Sequence, residues 1–149
     1  MAKATVKKTT TKANYTYAVG RRKTASARVR LYKSANVPGF DGVQLTVNGK
    51  PAEVYFPGAT AKAAYRQPFT LTETLNKISA SVLVYCSGKK GQLDATIHGI
   101  ARALATVDKD NHRAILKSAG LLIRDARAKQ RRMVGTGGKA RRTKQSPKR

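Results

Sequence analysis

The sequence predicts an α+β fold, in which one domain with helices on one face of a β-sheet is followed by a long basic tail. Residues 25–31 alternate between apolar and polar side chains, residues 79–86 form an apolar run, and residues 93–107 carry apolar side chains at helical spacing. Strands come first and helices follow, without strict alternation, and this order favours helices packed on one side of a sheet.

The first predicted strand segment covers residues 15–33, with a bend or bulge at Gly20 between its two halves. Apolar and polar side chains alternate on both sides of Gly20, which is the period of a half-buried strand. The alternation places Arg28 and Arg30 together on the face opposite the core. Tyr15 begins the same pattern.

The next elements are shorter. A second strand over residues 43–47 ends at Asn48-Gly49, which is a strong turn signal. Pro51 is predicted to open a short helix, because its missing N–H is not needed in the first turn of a helix. Residues 59–66 are weakly helical, and residues 69–78 are predicted as a strand followed by a helix.

Residues 79–86 are rich in β-formers and are predicted to form a strand buried on both faces. The only cysteine, Cys86, ends this run and is predicted to be a reduced, buried thiol. A single cysteine excludes internal disulfides and cysteine-based metal sites.

The clearest helix follows, because its apolar residues recur at spacings of four, three, four and three. Asp108 or Asp110 is predicted to cap a further helix that ends near Gly120. The apolar stripe of the first of these helices consists of Leu93, Ile97, Ile100, Leu104 and Val107.

Charge is the strongest functional signal. The chain has 31 basic and 7 acidic side chains, a formal net charge of +24, and eleven of the basic residues lie in the segment 124–149 with one acid, Asp125. A segment this poor in apolar side chains is not expected to fold by itself, and a nucleic acid would neutralise its positive charge.

We predict a disordered basic arm over 1–13, a globular RNA-binding domain over 14–123 and an extended basic tail over 124–149. A short organellar transit peptide is the alternative for the arm, although the arm lacks the expected arginines.

Two basic clusters precede the tail. Gly20-Arg21-Arg22-Lys23, with Arg28 and Arg30 beyond it, is interpreted as a set of phosphate contacts in preference to an ordinary solvated face. Gly88-Lys89-Lys90-Gly91 joins the apolar strand to the best helix, where free N–H groups favour an anion. An ordinary strand-to-helix turn is the alternative for the second cluster.

Enzyme motifs are absent from the sequence. Gly135-Thr136-Gly137-Gly138-Lys139 lacks the spacing and the Ser/Thr of a phosphate-binding loop. His98 and His112 fall on different predicted helices without carboxylates to orient them. The aromatic residues are predicted to pack in the core, so we expect recognition of RNA shape and phosphates rather than of single-stranded bases. We predict no catalytic residue, no metal site and no cofactor.

Several ordered motifs resemble the bacterial-type small-subunit ribosomal protein nine family over nearly all of residues 15–149. They are Tyr17-Ala18-Val19-Gly20-Arg21-Arg22-Lys23-Thr24-Ala25, Arg66-Gln67-Pro68, Gly91-Gln92, His98-Gly99-Ile100-Ala101-Arg102-Ala103-Leu104, Arg124-Asp125-Ala126-Arg127, Lys139-Ala140-Arg141-Arg142 and the terminal Lys148-Arg149. The sequence departs from the family pattern at Ser146-Pro147, where the family usually has Phe-Ser.

The resemblance implies a mixed sheet like that of the second domain of ribosomal protein five, with a left-handed βαβ crossover. It implies a body bound to rRNA in the small-subunit head, beside neighbouring head proteins, and a tail that reaches peptidyl-site tRNA. Arg21, Arg22 and Lys23 would contact rRNA, as would Lys139, Arg141 and Arg142. Lys148 and Arg149 would approach the tRNA backbone.

We therefore predict a structural ribosomal protein that is neither an enzyme nor a homo-oligomer. No apolar run approaches the ~18 residues of a membrane span, and we expect a cytoplasmic ribosome or, alternatively, one of an organelle matrix. The alternatives to this function are a chromatin-like or chaperone-like basic protein and a basic RNase that uses His98 and His112.

The residues predicted to bind rRNA are Arg21, Arg22, Lys23, Arg28, Arg30, Lys89, Lys90, Arg124, Arg127, Arg131, Arg132, Lys139, Arg141, Arg142 and Lys144, and those predicted to bind tRNA are Lys148 and Arg149.

Overall fold

The computed structural model describes residues 15–37, 39, 44–136 and 138. Its elements are, in chain order, β1 (Tyr15–Arg22), β2 (Ala25–Tyr32), β3 (Leu45–Val47), β4 (Lys50–Pro51), α1 (Ala52–Tyr55), α2 (Ala59–Leu71), β5 (Ser79–Tyr85), α3 (Lys89–Val107) and α4 (Lys109–Ser118). The sheet order is β1-β2-β5-β3-β4, and among these pairs only β3 and β5 run parallel. The predicted α+β domain with helices on a mixed sheet is confirmed, whereas the likeness to ribosomal protein five and the handedness of the crossover stay predictions.

The first strand segment is a hairpin, so the prediction of one strand bent at Gly20 is wrong. The chain reverses at Lys23-Thr24, and Gly20 lies inside β1 opposite Ala27. Lys23 has a φ of 51°, a left-handed conformation that lysine rarely adopts. No glycine or asparagine marks this turn, which explains why the sequence pattern did not reveal it.

Gly20 is required by the packing of α3 on β1. A Cβ atom at residue 20 would lie 1.9 Å from the Ala95 carbonyl oxygen and 2.4 Å from the Gly99 nitrogen. Gly99 makes the reciprocal approach, since its own Cβ would lie 2.6 Å from Val29. Two glycines on facing elements therefore let α3 lie directly against the hairpin, and side chains from β1, β2, β5 and α3 share one core.

The crossover from β3 to β5 runs through α1 and α2. Asn48 and Gly49, both with positive φ, form the predicted turn after β3, and Pro51 precedes the predicted short helix α1. The helix α2 continues through Pro68, so the strand predicted after residue 68 is wrong. A buried hydroxyl pair, Thr72 and Thr74, then accounts for the end of this helix, because both hydroxyls donate to carbonyls of its last turn.

β5 is covered on one face only, so the predicted burial on both faces is wrong. Ala80, Val82 and Val84 are buried, whereas Leu83 is half-buried and Tyr85 is exposed. The prediction of a buried Cys86 is also wrong. Cys86 follows the end of the strand with a φ of 61°, and its side chain is exposed.

The last two helices confirm the predictions for that region. α3 carries the predicted apolar stripe, with Ile100 and Leu104 fully buried. Asp108 caps α4, because its carboxylate accepts a hydrogen bond from the Asn111 N–H at 3.2 Å. Gly120, with a φ of 73°, follows the end of α4. Residues 124–133, which have fair helix propensity, form no helix.

Candidate nucleic-acid interface

The open face of the sheet is the side of β1, β2 and β5 that lies opposite α3. Successive side chains of a strand point to opposite faces, and Gly20 points to α3, so Tyr17, Val19 and Arg21 point away from it. The register sets side chains side by side in rows across the three strands. The rows are Tyr15–Tyr32–Ser79, Tyr17–Arg30–Ser81, Val19–Arg28–Leu83 and Arg21–Ser26–Tyr85.

Aromatic rings and arginines lie together on this open face. Tyr17 is 51% exposed, Tyr85 is 52% exposed and Tyr15 is 36% exposed. The Arg30 guanidinium lies 5.2 Å from the centre of the Tyr15 ring, and the Tyr15 and Tyr32 rings meet edge to face at 6.0 Å. The prediction that the aromatic residues pack in the core is therefore wrong for Tyr15, Tyr17 and Tyr85.

The alternation that exposes Arg28 and Arg30 also exposes these tyrosines, because Tyr17 pairs with Arg30 across the hairpin. The missing information was the pairing. Unless the turn at Lys23-Thr24 is known, the sequence does not show which tyrosine of β1 pairs with which arginine of β2.

The described residues place no carboxylate against the arginines of the open face. β1, β2 and β5 contain no Asp or Glu. Within residues 15–37 and 44–136, no acidic side chain forms a salt bridge with Arg28 or Arg30. Both guanidinium groups are exposed, and they are the predicted site residues with the clearest access for a phosphate.

Arg22 points the other way and is occupied within the protein. Its side chain is 14% exposed and lies 3.0 Å from the Asp125 carboxylate and 3.6 Å from the Asp94 carboxylate. The same guanidinium donates to the backbone oxygen of Arg127 at 2.7 Å and to that of Asp125 at 3.3 Å. Arg22 therefore fastens the start of the basic tail to β1 and α3, a role that the sequence analysis missed.

Asp125 is the acceptor at this anchor. Hydrogen bonds from the Arg127 side chain and backbone, with the positive charges of Arg127 and Arg22, hold the pKa of the Asp125 carboxyl well below its usual range. The same pairing raises the pKa of Arg127. The carboxylate is therefore ionised at neutral pH, and the one acid of the tail binds two arginines.

His98 lies beside the anchor on α3. Its Nδ1 atom accepts a hydrogen bond from the Arg21 backbone N–H at 3.3 Å. Burial, followed by the charge of Arg102, lowers the pKa of His98, against a raising effect of the Leu122 backbone. Because the neutral imidazole of His98 accepts a hydrogen bond from the backbone of β1, it helps to hold β1 against α3. The Nδ1 atom of His112 instead lies 3.4 Å from a backbone oxygen, that of Leu104.

The predicted cluster at Lys89 and Lys90 forms the first turn of α3 rather than a loop. The Lys89 ammonium lies 3.5 Å from the centre of the Tyr55 ring and donates to the Tyr55 backbone oxygen at 3.4 Å. Lys90 is exposed. Lys89 therefore connects α3 to α1.

The other predicted basic residues divide into two groups. Lys23, Arg124, Arg127, Arg131 and Arg132 are exposed along the hairpin turn and the tail. Lys139, Arg141, Arg142, Lys144, Lys148 and Arg149 lie outside the described residues.

Neither a metal centre nor a membrane segment was found in the described part of the chain. Its His, Cys, Asp and Glu side chains do not gather in any group of three or more that would hold a metal ion. None of its helices combines the length and apolar character needed to cross a membrane.

Comparison with known proteins gives a consistent result. The family model for ribosomal protein S9/S16 matches residues 20–149. Small ribosomal subunit protein uS9 of Maridesulfovibrio salexigens is 46% identical over 84% of this chain and 90% of the relative. The protein of the same name from Desulfovibrio desulfuricans is 45% identical over 81% of this chain and 87% of the relative. The chain therefore belongs to the ribosomal protein S9/S16 family, a family of structural proteins rather than enzymes.

Proposed function

We propose that this protein is a structural constituent of the small subunit of a bacterial cytoplasmic ribosome, where its body binds rRNA of the head beside other head proteins. The bacterial relatives carry the name of a small-subunit protein, and they match most of the chain. The observation that supports the RNA-binding part is the open face, where arginines and tyrosines lie together on three strands that contain no Asp or Glu. Electrostatic neutralisation of phosphates would provide most of the affinity.

We further propose that the body, 14–123, and the tail, 124–149, have separate partners, with the arm 1–13 as a third basic segment. The ion pair between Arg22 and Asp125, at 3.0 Å, supports a boundary near residue 124, because it ties the chain to β1 at that point. The basic residues from Arg124 to Lys144 would follow rRNA, and the terminal Lys148-Arg149 would reach the backbone of peptidyl-site tRNA. Phosphate contacts of this kind are independent of sequence, as a site that serves every tRNA requires.

The test of the body is reconstitution of small-subunit rRNA with and without the protein, followed by sedimentation after a moderate-salt wash. We expect the protein to stay with the subunits and to protect head rRNA from chemical probes. Loss during the wash, with equal binding to DNA, would favour the chromatin-like or chaperone-like alternative. Hydrolysis of RNA that disappears in the His98→Ala or His112→Ala variant would instead support the RNase alternative.

The test of the tail is a protein that ends at Pro147. Each lost phosphate contact costs on the order of 1 kcal/mol, so removal of Lys148 and Arg149 should weaken peptidyl-site tRNA binding at least about tenfold. Assembly should be normal, because the body and the inner tail keep their contacts. A Lys148→Arg variant, which keeps the charge, is the matched control. Normal tRNA binding together with defective assembly would assign the terminus to rRNA.

A further inference from the structure

We infer that the open face of the sheet is a stacking platform for unpaired RNA bases, with Tyr17 and Tyr85 as its principal rings. The inference rests on the proposed RNA-binding function and specifies its ligand, because phosphate contacts alone do not require exposed aromatic rings. The structure offers both halves of a single-strand site on one surface: exposed rings for bases and arginines for the backbone.

The geometry of the rows supports this ligand. Tyr17 and Arg30 are direct cross-strand partners, so a ring and a guanidinium group are neighbours on the open face. Tyr85 lies in the row next to the one that holds Arg28 and Leu83. Alternate residues of one strand are about 6.6 Å apart and neighbouring strands about 4.8 Å, so the rows form a grid of closely spaced contacts. The Arg30 guanidinium already lies against the Tyr15 ring, which shows that a flat cationic group is accommodated there.

The exposed rings are not explained by folding. The core of β1, β2 and β5 lies on the opposite face, where Val29, Val82 and Ile100 are almost completely buried. Tyr17 is 51% exposed and Tyr85 is 52% exposed, so about half of each side chain gains no stabilisation from burial within the protein. Their ring faces are available to a partner.

Charge favours RNA over a protein as that partner. The three strands carry arginines and no acid, and the whole chain has a net charge of +24. The aliphatic side chains among the rows, Val19 and Leu83, are both partly buried. A polyanion with flat, apolar bases complements this surface, whereas a protein partner would need an acidic patch to match the arginines.

The experiment compares two probes of equal length and charge with the full chain: a single-stranded oligouridylate and an abasic ribose–phosphate chain. Affinities are measured at raised salt, where the electrostatic contribution of the tail is reduced. We expect the oligouridylate to bind more tightly, by about fivefold to 150-fold for each stacked base. Upfield shifts of the Tyr17 and Tyr85 ring protons should appear with the oligouridylate alone.

Two double variants identify the rings. The double variant Tyr17→Ala/Tyr85→Ala should lose the preference for oligouridylate while binding the abasic chain normally, and circular dichroism checks that it is folded. The matched pair Tyr17→Phe/Tyr85→Phe keeps both rings and should keep the preference.

Equal binding of the two probes to the unaltered protein would overturn the platform and leave the proposed rRNA binding intact. A double alanine variant that binds both probes normally would also overturn it, because the two rings would then contribute nothing to base binding. Failure to bind head rRNA as well as both probes would remove the proposed function itself, whereas failure on the two probes alone would overturn only the platform.

Discussion

The two faces of one β-hairpin have opposite compositions. Towards α3, the hairpin presents Ala18, Gly20 and Ala27, which are small and buried. Towards solvent, it presents tyrosines and arginines. Because the side-chain period of a strand is two, the same sixteen residues of β1 and β2 hold the fold together with one set of positions and expose a charged, aromatic surface with the other.

Arg22 is the exception that clarifies this division. It is an arginine on the covered side, and there two carboxylates and two backbone oxygens surround its guanidinium. Arg28 and Arg30 are arginines of the same hairpin with no described carboxylate partner. The arginines of one cluster therefore have different roles, which depend on the face they occupy.

The largest expected effect is on the covered face. Gly20→Ala should reduce the free energy of unfolding by about 3 kcal/mol, because the added methyl group would collide with backbone atoms of Ala95 and Gly99 that α3 cannot move independently. Urea denaturation monitored by circular dichroism measures the change. Gly88→Ala is the matched control, since its Cβ would meet no atom within 4 Å. Equal stability of the two variants would contradict the close contact between β1 and α3.

The corresponding change on the open face should affect binding and leave stability nearly unaltered. Arg28→Glu/Arg30→Glu removes two proposed phosphate contacts and should lower the log–log salt slope of rRNA binding by about 1.4–1.8, which is roughly a thirtyfold loss at 0.1 M salt. Filter binding across a salt series provides the slope.

The control for the salt slope has the same net charge on a different surface. Lys109→Glu/Arg113→Glu reverses two exposed residues of α4 and should change the slope much less. If the open-face variant binds normally and unfolds easily, the two faces have been assigned the wrong way round.

The sequence predicted this division in part. The alternation over residues 25–31 correctly predicts that Arg28 and Arg30 are exposed, and the apolar stripe correctly predicts α3. Periodicity is a local property, which explains these successes. The local pattern predicts a bend at Gly20, whereas the structure requires a glycine there because Gly99, a residue far away in the chain, packs against it.

The candidate site was predicted less completely. The arginines were recognised from their charge, but the role of Arg22 depends on Asp94 and Asp125, which α3 and the tail bring together only in the folded protein. The exposed tyrosines were missed for the same reason. An aromatic side chain on a strand is normally core, and its exposure follows from which face the helices cover.

A smaller effect is expected at the tail anchor. Arg22→Ala removes four contacts to Asp94, Asp125 and Arg127, so the segment from Ile123 to Arg127 should become mobile while the body stays folded. Amide relaxation should show lower order parameters in this segment. Lys23→Ala, an exposed neighbour, is the control and should leave them unchanged. An equally ordered segment in Arg22→Ala would show that other contacts hold the tail.

The smallest effect concerns the pH dependence at His98, beside the same anchor. Its pKa in the folded protein lies below the usual 6.5, so between that lower pKa and about pH 6.5 the unfolded chain binds a proton that the folded chain does not. The stabilisation that a neutral His98 provides is therefore complete above pH 6.5 and is lost as the pH falls from 6.5 through the lower folded value. The slope of the free energy of unfolding against pH must stay below the roughly 1.4 kcal/mol per pH unit that one full proton gives.

Protonation would also break the hydrogen bond from the Arg21 N–H to the Nδ1 atom of His98, so β1 and α3 should separate locally around Arg21. Urea denaturation at a series of pH values measures the slope, and proton exchange of the Arg21 amide measures the local opening. His98→Gln cannot titrate and should lack the part of the slope that belongs to His98, whereas His112 remains in both proteins. An identical pH profile for the two proteins would show that the imidazole is exposed to solvent and does not link the hairpin to α3.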